Sequence, residues 1–324
     1  NHLQIEHVIF VPISTPKQKI DRIKYFGGDY LTLHVIGDTL KEALELSIIH
    51  SKTISSIFVH PYNDIDVILG QSTVAQEIYE NIEPDYIIVP VGGGGLISGV
   101  GSYSKMFNPK CEIIGVEPEN ANSMQLSLHN RLATKVIHLD TFVDGASVEI
   151  VGDKCFAISE SLIDKMVSIN NGHLCADIIE LYQNDGIITE PAGALGISAL
   201  EYIKDEIANK TVVCILTGGN NDLTRYPNMV ERANQYNGVK HYFLIDFNQI
   251  SGQLVHFAQS VLIEGVDITR FEYFKKDNID TGTVLVGIEL DSPEQLCVIL
   301  GNMEKFKYNY TKIHPGDLLH SYLI

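Results

Sequence analysis

The chain has 324 residues, 45% hydrophobic and 20% charged, the composition of an ordinary globular protein with room for two or three domains. Its 41 Asp and Glu outnumber its 23 Lys and Arg, for a net charge of −18. A surface that acidic repels phosphate backbones and anionic lipid, so neither nucleic acid nor a membrane is expected as a partner.

The chain opens on Asn1-His-Leu-Gln-Ile-Glu-His7 with no initiator Met and runs straight into an expected strand at 8–11. That reads as a fragment whose beginning is missing. Pro16 then sets a helix start, and the helix carries Lys17, Lys19, Arg22 and Lys24 up to Gly27-Gly28. A strand at 30–35, a helix from an Asp38 cap to about 50, and a strand at 56–60 follow. A helix is expected at 72–82. The run 86–91 is continuously apolar, as buried parallel strands are, and a strand at 112–116 repeats the pattern. Helices are expected at 96–106, 152–163, 171–185, 192–209 and 223–237, with a strand at 212–216. Alternating β and α units with short connections predict an α/β fold, a parallel sheet flanked by helices. None of these apolar runs is long enough to span a membrane.

After Gly238 the order becomes strand 239–247, helix 252–263, strands 267–275 and 283–290 joined by a turn-rich loop at 277–282, helix 293–303 and strand 308–313. This βαββαβ order is the ferredoxin-like unit. The five cysteines, Cys111, Cys155, Cys175, Cys214 and Cys297, form no Cys-x-x-Cys pair. They read as reduced thiols of a cytoplasmic protein, and no metal site is expected.

The sharpest chemical signal is Val89-Pro-Val-Gly-Gly-Gly-Gly-Leu96. A buried strand ends in four glycines and enters a helix. Gly92, Gly93, Gly94 and Gly95 have no side chains to shield their N–H groups, and with Leu96 they can wrap an anion at the helix's positive end. The spacing is not Gly-x-Gly-x-x-Gly and lacks Gly-Lys-Ser/Thr, so dinucleotide and triphosphate readings are weak. A second strand ends at Thr217-Gly-Gly-Asn220, placing the Thr217 hydroxyl at the same sheet edge. A helix cap with a turn explains that segment equally well. In Ile188-Thr-Glu-Pro-Ala-Gly-Ala194, Glu190 precedes a Pro-initiated helix, which a favourable helix dipole alone would explain.

Taken together, Gly92 to Leu96, Glu190-Pro-Ala-Gly-Ala194 and Thr217-Gly-Gly-Asn220 resemble the pyridoxal-phosphate enzymes of fold type II, with a close match to the threonine dehydratases. His60-Pro-Tyr-Asn-Asp-Ile-Asp-Val-Ile-Leu-Gly-Gln-Ser-Thr73, Thr15-Pro-Lys-Gln-Lys19, Val116-Glu-Pro118 and Val143-Asp-Gly145 fit the same family, and the tail is similar to its single ACT-like regulatory domain. The resemblance implies a remnant of the small catalytic subdomain at 1–62, a large cofactor-binding subdomain at 63–235 and an ACT-like domain at 236–324. It implies pyridoxal phosphate as cofactor, with Gly92 to Leu96 on the phosphate, Thr217 on the pyridine nitrogen and Glu190 near the ring. L-threonine would lose its β-hydroxyl, and the product would hydrolyse to 2-oxobutanoate and ammonia in isoleucine biosynthesis. Isoleucine would be the effector, held near Gly252 and Leu254, and the protein would be a homodimer or homotetramer.

The family's Schiff-base Lys motif and its Ser-Gly-Asn-His loop have no counterpart here, so the catalytic residue stays unassigned. The basic run from Lys17 to Lys24 reads as a solvated helix face. Two other readings stand beside the first. One is another fold type II lyase, such as a serine dehydratase. The other is a non-catalytic fragment that keeps assembly or effector binding.

Overall fold

The computed structural model describes residues 2–219, 221–273 and 281–324. Its first unit contains strand β1 (His7–Val11), helix α1 (Lys17–Gly27), strand β2 (Leu31–Val35) and helix α2 (Leu40–Thr53). β1 and β2 pair in parallel, His7 opposite Leu31. The α2 cap is Thr39 and not Asp38. Thr39 accepts from Glu42 N–H at 3.2 Å, while Asp38 N–H donates back to Glu42 Oε2 at 2.7 Å. The expected strand at 56–60 does not form. Ile57 is 91% exposed and Val59 63%, and among the described residues this stretch pairs with no strand. Its apolar alternation encodes an extended backbone but not the neighbour a strand needs for its N–H and C=O groups.

The second unit begins with α3 (Ile65–Tyr79), earlier than the expected start at 72, because Asp64 accepts from Asp66 N–H at 2.9 Å and caps it. Then come β3 (Tyr86–Pro90), α4 (Gly95–Phe107), β4 (Glu112–Pro118), α5 (Ser123–Asn130), α6 (Asp153–Ser159), β5 (Lys165–Ile169), α7 (Asn171–Glu180), α8 (Pro191–Ile203), β6 (Val212–Cys214) and α9 (Tyr226–Tyr236). The sheet order is β5-β4-β3-β6 and every pairing is parallel. Ile87, Ile88 and Val89 are fully buried, as the apolar run predicts. β5 and α5 are absent from the sequence expectations. β5 is five residues long, with Lys165 and Ser168 breaking its apolar run, and it gains its place by pairing with β4.

α3 and α4 touch at Gly99, where an added Cβ would lie 2.4 Å from Ile68 O and 2.7 Å from Ser72 N. Both are backbone atoms that cannot step aside singly. Gly99→Ala is expected to lower stability by ~1–3 kcal/mol through overpacking. A urea midpoint equal to the parent's would mean that the two helices can part freely.

The third unit is β7 (Lys240–Asn248), α10 (Gln253–Ser260), β8 (Val266–Glu272), β9 (Thr281–Leu290), α11 (Gln295–Lys305) and β10 (Tyr310–Ile313), followed by a short α12 (Leu318–Leu323). The sheet order β10-β7-β9-β8, all antiparallel, is ferredoxin-like. Phe243, Ile245 and Phe247 of β7 alternate inward with Val284, Val286 and Ile288 of β9, against Phe257, Ile299 and Met303. Part of the expected loop at 277–282 and the end of the expected strand at 267–275 lie outside the described residues. α12 has no counterpart in the sequence expectations. Leu323 and Ile324 pack on Tyr242, Leu285 and Ile313 across the other face of the sheet.

All five cysteines are free thiols. Among the described residues, no helix is long and apolar enough to cross a membrane, and no group of three His, Cys, Asp or Glu is placed to hold a metal.

Candidate active site

β3 sits between β4 and β6, so the chain leaves it in one direction and later returns on its other side. The carboxyl ends of β3 and β6 therefore flank a topological switch point, where open parallel sheets bind ligands. A cavity of about 270 Å³ lies there. Gly92, Gly93, Gly94, Gly95 and Leu96 line one side, Gly145, Ala146 and Ala192 another, and Thr217 faces them from the end of β6.

Gly94 caps α4 with φ 95°, a conformation that favours glycine. Among the described residues no acceptor meets the N–H groups of Gly92 to Ile97. That leaves a row of unpaired donors at a helix N-terminus, facing a cavity. The loop is also pinned from behind. Gly152 N–H donates to Gly93 O at 3.1 Å, and the Tyr62 ring lies against the loop. A Cβ on Gly93 would stand 2.3 Å from Tyr62 Cγ.

Tyr62 is held in turn. His60 Nδ1 accepts from the N–H groups of Tyr62 (3.2 Å) and Asn63 (2.9 Å), which assigns the proton of the neutral ring to Nε2. Burial lowers the His60 pKa, favouring that neutral form over the opposing pull of Asp64.

The Thr217 side chain is half-buried, and its hydroxyl has no partner among the described residues. Glu190 stands behind this wall. Its N–H donates to Gly218 O at 2.9 Å, and its Oε1 would lie 2.2 Å from a Cβ on Gly218. It lines a neighbouring cavity of about 190 Å³ with Lys19, Asp144, Asn221 and Arg225. Burial, then the Asp144 carboxylate, raises the Glu190 pKa, while Lys19 and Arg225 pull the other way. Lys19 is thus no member of a solvated face. It pairs with Asp144 beside the site, whereas Lys17 is 91% exposed. No local pattern points to that partner, because Asp144 lies far along the chain.

Glu117, from Val116-Glu-Pro118, is fully buried at the end of β4. Its two oxygens accept from Met124 N–H (2.7 Å) and Gln125 N–H (2.9 Å), forming the start of α5. Burial nevertheless outweighs these bonds and pushes its pKa up to about 8. Between the ordinary carboxyl range and pH 8 the folded state therefore holds a proton that the unfolded chain has lost. Stability from this group is full at acid pH and falls as pH rises through about 8. Thermal melts from pH 5 to 9 should show a downward drift in the parent that Glu117→Gln lacks; parallel curves would refute the assignment.

Comparison with known proteins identifies the family. The family model described as pyridoxal-phosphate dependent enzyme matches residues 1–218, and that described as the C-terminal regulatory domain of threonine dehydratase matches 231–323. The chain belongs to the threonine dehydratase family of pyridoxal-phosphate dependent enzymes. It is 43% identical over 328 residues to a biosynthetic L-threonine dehydratase of Halalkalibacterium halodurans, covering 99% of this chain and 78% of the relative. A biosynthetic L-threonine dehydratase of Lactococcus lactis subsp. lactis is 40% identical, with 100% and 79% covered. The structure of the processed form of threonine deaminase isoform 2 from Solanum lycopersicum superimposes with a TM-score of 0.65 at 36% identity, over 70% of this chain and 66% of that one. Serine racemase from Dictyostelium discoideum gives 0.60 at 29% identity, over 67% and 69%. The parallel sheet, its flanking helices and the C-terminal regulatory unit are those of the family.

The residues present suit the family's cofactor. The unpaired N–H row fits a phosphate, and the lone hydroxyl of Thr217 fits a ring nitrogen. The structure brings Gly92 to Leu96 together with Thr217, and sets Glu190 behind Gly218 in the adjoining cavity. Gly252 and Leu254 lie apart, in the regulatory unit. Gly252 caps α10 at φ 86° with open space around its α-carbon, and Leu254 is 43% exposed. Sequence reasoning missed the Tyr62 ring, Ala146 and Arg225. Four consecutive glycines hint at a bulky neighbour such as Tyr62, but nothing local names it.

Proposed function

We propose that this protein is a feedback-regulated threonine dehydratase that converts L-threonine to 2-oxobutanoate and ammonia. The observation that carries this reading is the cavity at the switch point, which the glycine loop and Thr217 line together. Bound there, pyridoxal phosphate supplies an electron sink that makes the substrate's Cα proton removable. The N–H groups of Gly92 to Leu96 hold the phosphate at the positive end of α4. The Thr217 hydroxyl would meet the pyridine nitrogen as a neutral partner, which supplies no negative charge to hold that nitrogen protonated. Tyr62, set by His60, fixes the back of the phosphate loop. Glu190 stands behind Gly218 and supports the cavity wall on that side.

The units run as 1–62, 63–235 and 236–324. Isoleucine is the effector of the third, near Gly252 and Leu254. The assembly is a homodimer or homotetramer, and the free thiols suit a cytoplasmic setting. The test is 2-oxobutanoate formation from L-threonine, beside pyruvate formation from L-serine, in the presence of pyridoxal phosphate. It is run on this chain and on the same chain preceded by the N-terminal segment of the Halalkalibacterium halodurans relative. Preference for L-threonine supports the reading. Preference for L-serine would make the protein a serine dehydratase, and cofactor binding with no turnover in either form would leave only a binding protein.

Calorimetric titration of isoleucine into the full chain should show saturable binding, weakened at least ~tenfold by Leu254→Asp if that side chain lines the ligand's apolar end. Equal affinity in parent and variant would move the effector site elsewhere, and no heat at millimolar isoleucine would remove it.

A further inference from the structure

α9 touches both the cleft wall and the regulatory sheet. At the wall, Arg225, just ahead of α9, donates to Phe142 O and pairs with Asp144 Oδ1 at 3.3 Å. Arg232, within α9, lies over the Phe142 ring at 4.3 Å. Two guanidinium groups thus grip one ring and its carbonyl, each contact strengthened by the cation's attraction to the ring face. Phe142 belongs to the loop 140–147, whose Gly145 and Ala146 line the cofactor cavity. A Cβ on Gly92 would stand 3.1 Å from Ala146 Cα, so a shift of this loop is felt directly by the phosphate loop.

At the regulatory sheet, the neighbouring residue Glu231 takes the contacts. Its Oε2 pairs with Lys240 at 2.7 Å, and its Oε1 accepts from Tyr242 Oη at 2.8 Å, both partners on β7. Glu231 and Lys240 are largely buried, so water screens this joint little. Gln235, one turn on, donates to Glu231 Oε1 and meets His320 Nε2 at 3.1 Å. Adjacent residues of one helix, Glu231 and Arg232, therefore face opposite partners. A rotation or slide of the helix imposed at one must be expressed at the other.

We propose that α9 is a lever that transmits the state of the regulatory sheet to the cleft wall, with Glu231 as its joint and Arg225 and Arg232 as its grip on the 140–147 loop. Arg225 and Arg232 are then positioning residues. Neither lines the cavity that holds the glycine loop and Thr217; they set Gly145 and Ala146 against the phosphate loop. An effector that binds two sheet positions unequally would bias the two loop positions by the same difference. That last step rests on the regulatory reading of the tail; the mechanical link does not.

The test is amide hydrogen exchange on the full chain. Glu231→Gln combined with Tyr242→Phe should speed exchange across 140–147 by about fivefold or more, the low end of ordinary couplings, while 284–288 in the regulatory core keeps its parental rate. Arg232→Met should have the same local effect, and Arg232→Lys, which keeps a cation over the ring, should restore most of the protection. Unchanged exchange at 140–147 in the joint variant would overturn the lever. So would an equal rise at 284–288, because Glu231 would then merely hold the regulatory unit together. In a second arm, saturating isoleucine should change exchange at 140–147 in the parent and not in the joint variant, and an equal response in both would overturn the proposal. If isoleucine binds neither, the effector reading fails, and the first arm alone decides the lever.

Discussion

Gly93→Ala is expected to weaken pyridoxal-phosphate binding roughly ten- to hundredfold, the ~1–3 kcal/mol that overpacking a close contact costs. The new methyl would stand 2.3 Å from Tyr62 Cγ and 2.4–2.5 Å from the two ring carbons beside it. These atoms lie near the root of the side chain, so no swing of a flexible end relieves them. The Tyr62 main chain is held as well, by its N–H on His60 Nδ1 and its carbonyl on the Cys155 thiol. The loop must therefore give way, and its N–H row with it. Gly93→Asp should bind more weakly still, because it adds a carboxylate beside an anion. A fluorescence titration of the cofactor measures both. Tyr62→Ala placed in the Gly93→Ala background should recover much of the loss, since it removes the colliding ring. Parental affinity in Gly93→Asp would show that the phosphate is held elsewhere. Failure of Tyr62→Ala to rescue would show that the loop itself, not the ring, resists the methyl.

Whether a feature could be read from the sequence depended on whether its cause is local. The 86–91 run announces β3 because a strand buried on both faces must be apolar at every position, and the glycines that follow announce a backbone that carries the chemistry itself. The regulatory unit was legible for a related reason. β7 and β9 alternate inward and outward residues in a regular period, and each helix of the unit has its own apolar face. β5 was not legible, since a half-buried strand of five residues owes its existence to β4 beside it. The stretch at 56–60 failed in the opposite sense, because its pattern is strand-like and no described residue supplies the partner strand. Thr39 displaced Asp38 as the α2 cap by a margin of one residue, which either side chain could have filled by type. At the site, Thr217 and the glycines could be placed on one sheet edge because both follow parallel strands. Glu190 could not be placed, because its position is set by Gly218, a residue too small to exclude it. The same holds for Lys19, whose partner Asp144 is reached only through the tertiary fold.

In the pyridoxal-phosphate-loaded enzyme, preceded by the relative's N-terminal segment, Thr217→Ser should keep turnover of L-threonine within a few-fold, and Thr217→Asp should lose about a hundredfold or more. Thr217 stands at the carboxyl end of β6 in the same cavity as the glycine loop, and no described residue uses its hydroxyl. Serine presents that hydroxyl from the same backbone and loses only a methyl. Aspartate changes the charge. A carboxylate facing the pyridine nitrogen would favour its protonated form by an opposite-charge interaction in a partly desolvated site. The sink would then be stronger than the reaction needs, and elimination of the β-hydroxyl would compete with longer-lived side reactions. About a hundredfold is the usual cost of misplacing one such preorganised polar contact. The absorbance of the bound cofactor provides a second readout, since protonation at the ring nitrogen alters it whether or not turnover is measured. A Thr217→Asp enzyme with parental turnover and a parental spectrum would place the ring nitrogen away from residue 217. An altered spectrum with parental turnover would keep the contact and show that the neutral partner is not what directs the reaction to elimination.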